Sequence, residues 1–395
     1  MNPRPVLLVL PSVPAYAMPD GQVLIDRKCH SGLLAYAERW PGRLAATFRL
    51  APPTQTEVRD AIALRTGQQP YRVSLIGPHE ALGVEHLAGA DVVLAAADDH
   101  RQLQVAALCR RLGTRCVYAI EYIPETRHQI VRLENPQALL RWRRQLFVLR
   151  SERARRQALR RCHGVQANGV PAHDHYQRIA NRLLYFDTRV QRSQLVRPAA
   201  LEARLAHLAE RRPLRLAFSG RLIAMKGADH LAQVAARLRD RGVAAQWTVF
   251  GAGELEGALR QQVEQLGLQK LFHLAGAVDF DTALIPTIRR EVDAYVMLHR
   301  QSDPSCTYLE TLACGIPILG YDNRAWRGLL AHDDLGEAVP MDDIDAAAAA
   351  LQAWSADRAR LAERSRRAHA FASEHTLEHT FTRRIDHLRQ TLETP

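Results

Sequence analysis

The sequence predicts an α/β chain built as two units, each a mostly parallel sheet with helices on its faces. Two observations predict it. Short apolar, β-branched runs alternate with helical patterns through both halves of the chain, the mark of parallel strands joined by helical crossovers. The alternation also restarts once, after an alanine-rich polar stretch bounded by prolines between Arg197 and Pro213, which is the composition of a boundary between units. A chain of 395 residues with 47% hydrophobic content can bury both cores.

In the first half the expected strands are Val6 to Leu10, Val73 to Ile76, Val92 to Ala95 and Cys116 to Ala119. A loop at Gly21 leads to a helix from Ser31 to Ala37, and a long helical pattern runs from Leu139 to Cys162. In the second half the strands are Leu214 to Ser219, Trp247 to Phe250, Phe272 to Ala275, Ala294 to Leu298 and Ile316 to Leu319. The last segment, Leu377 to Leu392, reads as a helix that packs back on the first unit. The expected division is 1–198, a linker at 199–213, a second unit at 214–375, and the returning helix at 376–395. Sheets of this kind bind ligands at the carboxyl ends of their strands, so two of them are expected to face a central cleft.

The N-terminus imitates a signal peptide, with Arg4, the run Val6 to Leu10 and then Ala15-Tyr16-Ala17. Pro11 and Pro14 break the apolar core of that pattern, so it reads as a first strand and loop. No run approaches the roughly twenty apolar residues of a transmembrane helix. Cys29, Cys109, Cys116, Cys162, Cys306 and Cys314 form no Cys-x-x-Cys pair and no dense framework, as a reducing cytosol permits. A formal charge of +11 points to acidic partners: phosphate-bearing substrates, anionic lipid or nucleic acid. No aromatic-interleaved basic platform or zinc spacing supports nucleic acid. Leu139, Trp142, Leu146 and Leu149 recur at helical spacing among Arg141, Arg143, Arg144, Arg150 and Arg153. That stretch is expected either to lie on an anionic membrane or to bury its apolar side chains in the core.

The chemistry concentrates in two segments. Ser219-Gly220-Arg221-Leu222-Ile223-Ala224-Met225-Lys226-Gly227 places two cations on a glycine-flanked loop at a strand end. Lysines occur only at Lys28, Lys226 and Lys270, so a lysine inside this loop stands out against an arginine background. Its compact ammonium can reach a single crowded phosphate oxygen where a planar guanidinium cannot. In the second segment, Asp303-Pro304 is expected to cap and open a helix. Ser305, Cys306 and Thr307 then fall on its first turn, where unpartnered N–H groups favour an anion. Glu310, in the next turn, is placed either to take a ribose diol or to be an ordinary helix glutamate.

Two further patterns compete. Gly251-x-Gly253 with Gly257 resembles a dinucleotide fingerprint, yet no acidic residue ends the next strand to receive a ribose hydroxyl. Asp279-Phe280-Asp281 offers an Asp-x-Asp metal pair, but ahead of a helical pattern it reads more simply as a cap and turn. No metal and no cofactor are expected.

From about Leu214 to Asp322 the residues resemble the retaining glycosyltransferases of family 4, which have the GT-B fold of two Rossmann-like α/β/α domains. Gly220-Arg221 and Lys226-Gly227 are similar to that family's diphosphate loop, and Phe250-Gly251-Ala252-Gly253-Glu254-Leu255 to its Gly-x-Gly-x-Leu segment. Leu309-Glu310-Thr311-Leu312-Ala313-Cys314-Gly315-Ile316-Pro317 is similar to its Leu-Glu-Ala-Met-Ala-Cys-Gly-x-Pro stretch. The resemblance implies a nucleotide diphosphate sugar as co-substrate, with Arg221 and Lys226 on the diphosphate and Glu310 on the ribose. The implied donor set is Gly220, Arg221, Lys226, Gly251, Gly253, Val278, Ser302, Asp303, Ser305, Cys306, Thr307 and Glu310. A family glutamate that grips donor-sugar hydroxyls is replaced here by Ser302.

In the first unit the family often has a histidine that contacts the donor sugar; here Glu121 and His128 are the candidates for a catalytic role. Gly21, Asp26, His30 and Arg127 are the acceptor-side candidates by position. The activity so implied is retaining transfer to a glycan or lipid-linked acceptor, in cell-envelope polysaccharide or glycolipid synthesis. Its expected place is the cytoplasm or the inner face of the membrane. A nucleotide-sugar epimerase on the same fold and a non-catalytic nucleotide-sugar-binding protein are the alternatives.

Overall fold

A computed structural model of the chain describes residues 4–52, 61–65, 67–134, 137–210 and 213–393. It divides into two compact units, one formed by the chain up to Tyr185 together with the residues from Glu378, the other by Phe186–Leu377.

The strands of the first unit are β1 Val6–Val9, β2 Tyr16–Ala17, β3 Val23–Asp26, β4 Arg43–Arg49, β5 Ala61–Leu64, β6 Arg72–Ile76, β7 Val92–Ala96, β8 Arg115–Ile120, β9 Gly164–Asn168 and β10 Arg182–Tyr185. Seven make one sheet in the order β10-β9-β8-β7-β1-β4-β6, with every pairing parallel. The expected strands are β1, β6, β7 and β8. β2, β3 and β5 form a separate antiparallel sheet, in which β3 pairs with both others.

β9 carries polar residues yet is buried throughout. Its cost is met by the helix Leu377–Glu393: the Gln166 amide donates to the Arg384 carbonyl at 2.8 Å and accepts from Arg384 Nε at 2.8 Å. The same helix sets Phe381 edge-on to Tyr36, with centroids 4.8 Å apart, and carries the Arg384 guanidinium over Tyr185 at 4.2 Å.

The long helix Ala138–Arg161 has two characters. Val148, Glu152, Arg155 and Leu159 recur at helical spacing and are buried, with Arg155 donating to the Ala97 carbonyl and pairing with Glu152, both at 2.8 Å. Leu139, Trp142, Phe147 and Leu149 are instead exposed at 72%, 61%, 53% and 52%. Burial of the Trp-Leu series in the core, one of the two sequence expectations, is therefore overturned. Leu140 and Leu149, both exposed, are two and a half turns apart at 3.6 residues per turn and lie on opposite sides of the helix, so its exposed apolar residues do not form a single stripe.

The second unit holds β11 Leu214–Ser219, β12 Ala245–Phe250, β13 Phe272–Gly276, β14 Ala294–Met297, β15 Ile318–Tyr321 and β16 Gly336–Val339. They form a parallel sheet in the order β13-β12-β11-β14-β15-β16. The order reverses between β11 and β14, so the loops leaving their carboxyl ends diverge and open a crevice there. Leu216, Phe218, Trp247, Val249, Val296 and Leu298 belong to the apolar core beneath it.

Most of the stretch read as a linker, residues 199–209, is helical. Pro198–Ala209 is a helix with proline at its start, and Leu201, Leu205 and Leu208 join the core of the second unit. Arg204, 4% exposed, donates to the carbonyls of Cys314, Gly315 and Arg289 at 2.8, 2.6 and 3.0 Å. The unit starts at Phe186, ahead of the sequence boundary: the Phe186 ring packs 5.9 Å from Phe371, Val196 N donates to the Ala313 carbonyl at 3.0 Å, and the helix adds its apolar face to the same core.

Candidate functional site

Three loops meet at the carboxyl ends of β11, β12 and β14. Gly251 allows the first approach: at φ +128°, a Cβ there would stand 1.9 Å from the Gly220 carbonyl oxygen. Leu222 N donates to the Ala252 carbonyl and Leu255 N to the Leu222 carbonyl, each at 3.0 Å. The Gly-x-Gly segment therefore serves close packing of two loops, the physical reason for glycine at Gly251 and Gly253.

Lys226 ends the short turn Ala224–Lys226. Gly227 follows at φ +71°, where a Cβ would meet the Leu298 carbonyl at 2.1 Å, so the turn is pressed against the end of β14. Arg300 fastens it from that side. Its backbone N–H donates to the Met225 carbonyl at 3.0 Å and its guanidinium to the Ala224 carbonyl. Asp229, at 2.8 and 2.9 Å, and Asp342, at 2.6 Å, hold that guanidinium.

The result is a nearly buried ammonium, 9% exposed for the residue, with Nζ 3.7 Å from Asp303 Oδ2. Burial lowers the Lys226 pKa and the nearby Arg221 cation adds to the effect, while Asp303 opposes both. Arg221 itself is exposed. His299, in the loop after β14, is 1% exposed. Burial, then the Lys226 charge, push its pKa well below the usual value and keep the ring neutral. Among the described residues neither ring nitrogen of His299 has a hydrogen-bond partner, nor does Asp303 Oδ1. Buried polar atoms so left cost about 1–3 kcal/mol each unless something meets them.

The expected helix cap is corrected. The helix runs Cys306–Ala313 with Ser305 as N-cap, and Asp303 precedes it with its carboxylate paired to Lys226. Ser305 Oγ lies 3.3 Å from Thr307 Oγ1, and Cys306 Sγ lies 3.5 Å from Asp187 Oδ2. Ser302, 2% exposed, accepts from Arg324 N at 3.3 Å. Glu310 is 7% exposed and accepts from Arg189 Nε at 2.8 Å. Val278 is 37% exposed on the loop after β13. Asp279 caps the following turn through Thr282, and Asp281 accepts from Gln194 Nε2 at 2.6 Å. Among the described residues no group of three His, Cys, Asp or Glu side chains is arranged to hold a metal ion.

In the first unit, Asp98 follows β7 and accepts from the N–H groups of Glu121 and Tyr122 at 2.8 and 3.3 Å and from Arg127. Burial raises its pKa against the pull of Arg127. Asn168 donates to Glu121 Oε2 at 3.1 Å. Glu121 and Arg127 are thus brought together, whereas His128 pairs with Gln145 of the long helix. Asp26 is consumed as the N-cap of the helix Arg27–Arg39, which starts earlier than expected, and accepts from Cys29 N at 2.8 Å. His30 meets the Tyr71 hydroxyl at 2.7 Å, and Gly21 lies in an exposed turn.

Sequence reasoning missed Arg189, Asp98, His299 and Arg300. The last three each follow a strand at its carboxyl end, which is a usable signal in an open α/β sheet. Arg189 gave none.

Residues 202–371 match the family model of Glycosyl transferases group 1. The chain is 29% identical over 177 residues to 2-deoxystreptamine N-acetyl-D-glucosaminyltransferase of Streptomyces fradiae, covering 43% of this chain and 40% of that protein. It is 33% identical over 104 residues to phosphatidyl-myo-inositol mannosyltransferase of Mycolicibacterium smegmatis, covering 26% of each. The chain thus spans less than half the length of both relatives. Among solved structures it is similar to Anabaena HepE in complex with UDP, at a TM-score of 0.68 and 14% identity over 98% of this chain and 100% of that one. It is also similar to WaaG, a glycosyltransferase involved in lipopolysaccharide biosynthesis, at 0.58 and 12% over 96% and 98%. These likenesses establish the fold class as GT-B.

Proposed function

We propose that this chain is a retaining glycosyltransferase that moves a sugar from a nucleotide diphosphate sugar to a glycan or lipid-linked acceptor, in cell-envelope polysaccharide or glycolipid synthesis. The observation that carries the reading is the Lys226 turn: a nearly buried ammonium at the point where the strand order reverses, with Arg221 on the same loop. A diphosphate held by these two cations and by the first-turn N–H groups of the helix Cys306–Ala313 is stabilised as the sugar leaves. The departing phosphate then receives the acceptor proton. Glu310 is the ribose carboxylate. With Ser302 engaged by Arg324 N, the unpartnered Asp303 Oδ1 is the oxygen left to meet a donor-sugar hydroxyl. Phosphatidyl-myo-inositol mannosyltransferase, a relative named for the lipid it mannosylates, and HepE, a neighbour solved in complex with UDP, support the acceptor and donor classes.

We further propose peripheral association with the inner, anionic face of a membrane through the N-terminal half of the helix Ala138–Arg161, where Leu139 and Trp142 are exposed among arginines. Among the described residues no helix is long and apolar enough to cross a membrane.

The decisive experiment incubates the protein with a panel of nucleotide sugars and scores nucleoside diphosphate release with and without lipid and glycan extracts. Release that depends on an acceptor extract is the expected result. Release at equal rate without acceptor, together with a free epimerised sugar, overturns transfer in favour of epimerisation, and binding without turnover overturns catalysis.

A further inference from the structure

Arg189 lies outside every sequence motif, in the segment that opens the second unit. Its Nε donates to Glu310 Oε1 at 2.8 Å, across 121 positions of sequence. Its guanidinium lies over the Phe280 ring, 3.8 Å from the centroid, and Phe280 belongs to the turn that Asp279 caps. The segment is pinned on both sides of Arg189: Cys306 Sγ meets Asp187 at 3.5 Å, and Val196 N donates to the Ala313 carbonyl at 3.0 Å. Those two partners sit at opposite ends of the helix that carries Glu310.

The form of the contact matters. An arginine meeting a carboxylate through two parallel bonds would occupy both oxygens. Here a single bond from Nε to Oε1 fixes the carboxylate rotamer and leaves Oε2 with its acceptor capacity. A carboxylate that must accept from two neighbouring hydroxyls gains from being held in this way, because its rotamer is not lost again on binding. The aromatic face behind the guanidinium limits the arginine's own freedom in turn.

We propose that Arg189 is the positioning residue for the ribose carboxylate, holding Glu310 by one oxygen so that the other faces the diol. This rests on the reading of Glu310 as the ribose ligand. It is distinct from a plug that the diol would have to displace, and the two roles carry opposite signs.

Calorimetry with UDP and GDP and with their dideoxy counterparts separates them, using wild type, Arg189→Ala, Arg189→Lys and Glu310→Gln. Arg189→Ala is expected to cut the preference for the ribo form about tenfold, the scale of one charge-assisted hydrogen bond, with the dideoxy form bound as before. Arg189→Lys is expected to restore part of the preference by supplying charge without the fork. A merely structural role would weaken both forms alike, and matching melting curves exclude misfolding, as the side chain is 42% exposed. An unchanged preference in Arg189→Ala, or tighter binding of the ribo form, overturns the proposal. If Glu310→Gln reduces the preference and Arg189→Ala does not, only Arg189 loses its role. If Glu310→Gln leaves it untouched, the ribose reading fails, and if wild type binds neither nucleotide the nucleotide-site reading fails as a whole.

Discussion

Lys226 and Asp303 form an ion pair, Nζ to Oδ2 at 3.7 Å, between the loops that follow β11 and β14. Both residues are nearly buried, at 9% exposure each. The pair binds only one carboxylate oxygen, and the distance is long for a charge-assisted bond. The ammonium therefore keeps hydrogens to offer a second anion.

Removing that ammonium should be felt by phosphate alone. Lys226→Ala is expected to weaken binding of a nucleoside diphosphate by about 1.5–3 kcal/mol, the range for a hydrogen bond to a charged group. The parent nucleoside should bind wild type and variant equally. Calorimetry showing the same loss for nucleoside and diphosphate would place Lys226 outside the phosphate site.

His299 gives a pH signature. Its folded pKa is pushed well below the ordinary 6.5 by burial and the Lys226 charge. As pH falls below that ordinary value the unfolded chain takes up a proton that the native ring refuses, so stability drops. The slope is about 1.4 kcal/mol per pH unit until the native ring also titrates. His30, His163, His230 and His387 are shifted the same way, so the informative quantity is the difference from wild type. His299→Leu is expected to flatten the acid limb of a denaturation series by one proton. Identical limbs would mean that His299 is protonated in the native state.

Transfer is expected to survive chelation. Asp279 is spent on Thr282, with contacts of 2.8 and 2.6 Å, and Asp281 on Gln194, while the diphosphate is assigned to cations of the chain. Activity abolished by EDTA and restored by manganese or magnesium would reverse this assignment.

Flotation on anionic vesicles at low salt tests the exposed half of the helix Ala138–Arg161. Each arginine near such a surface contributes about 1 kcal/mol, so Arg141, Arg143, Arg144→Glu should abolish flotation that wild type shows. A second variant, Leu139, Trp142→Ser, should weaken it without changing the charge. Wild type that stays at the bottom of the gradient, or variants that float equally, would remove the membrane from the proposed function.

Five strands of the second sheet were readable because they are largely apolar: β14 and β15 are buried throughout, and Leu214–Ser219, buried at all but one position, is recovered to the residue. β4 and β9 were not, since Ala45, Ala46, Gln166 and Asn168 carry little intrinsic strand signal. Their burial is settled by partners far away in sequence, such as Arg384 for Gln166. The same distinction governs the site. Arg221, Lys226 and Glu310 announce themselves through local spacing, whereas Arg189 and Glu310 meet only after folding. Asp303 shows a third case: a residue with the local marks of a cap stands two positions ahead of the N-cap with its carboxylate paired to Lys226, and Ser305 takes the N-cap position without a side-chain bond to the helix.

The division of the chain also has a temporal meaning. Because Glu378 onward belongs with the first unit, the helix that satisfies Gln166 and packs on Gly164, where a Cβ would stand 2.8 Å from the His387 ring, leaves the ribosome only after Phe186–Leu377. Phe186–Leu377 has by then been synthesised in full. Although domains ordinarily mature from the N-terminus, here the unit begun first is completed last. A nascent chain arrested before Glu378 would hold a finished second unit beside a first unit whose β9 still lacks its cover.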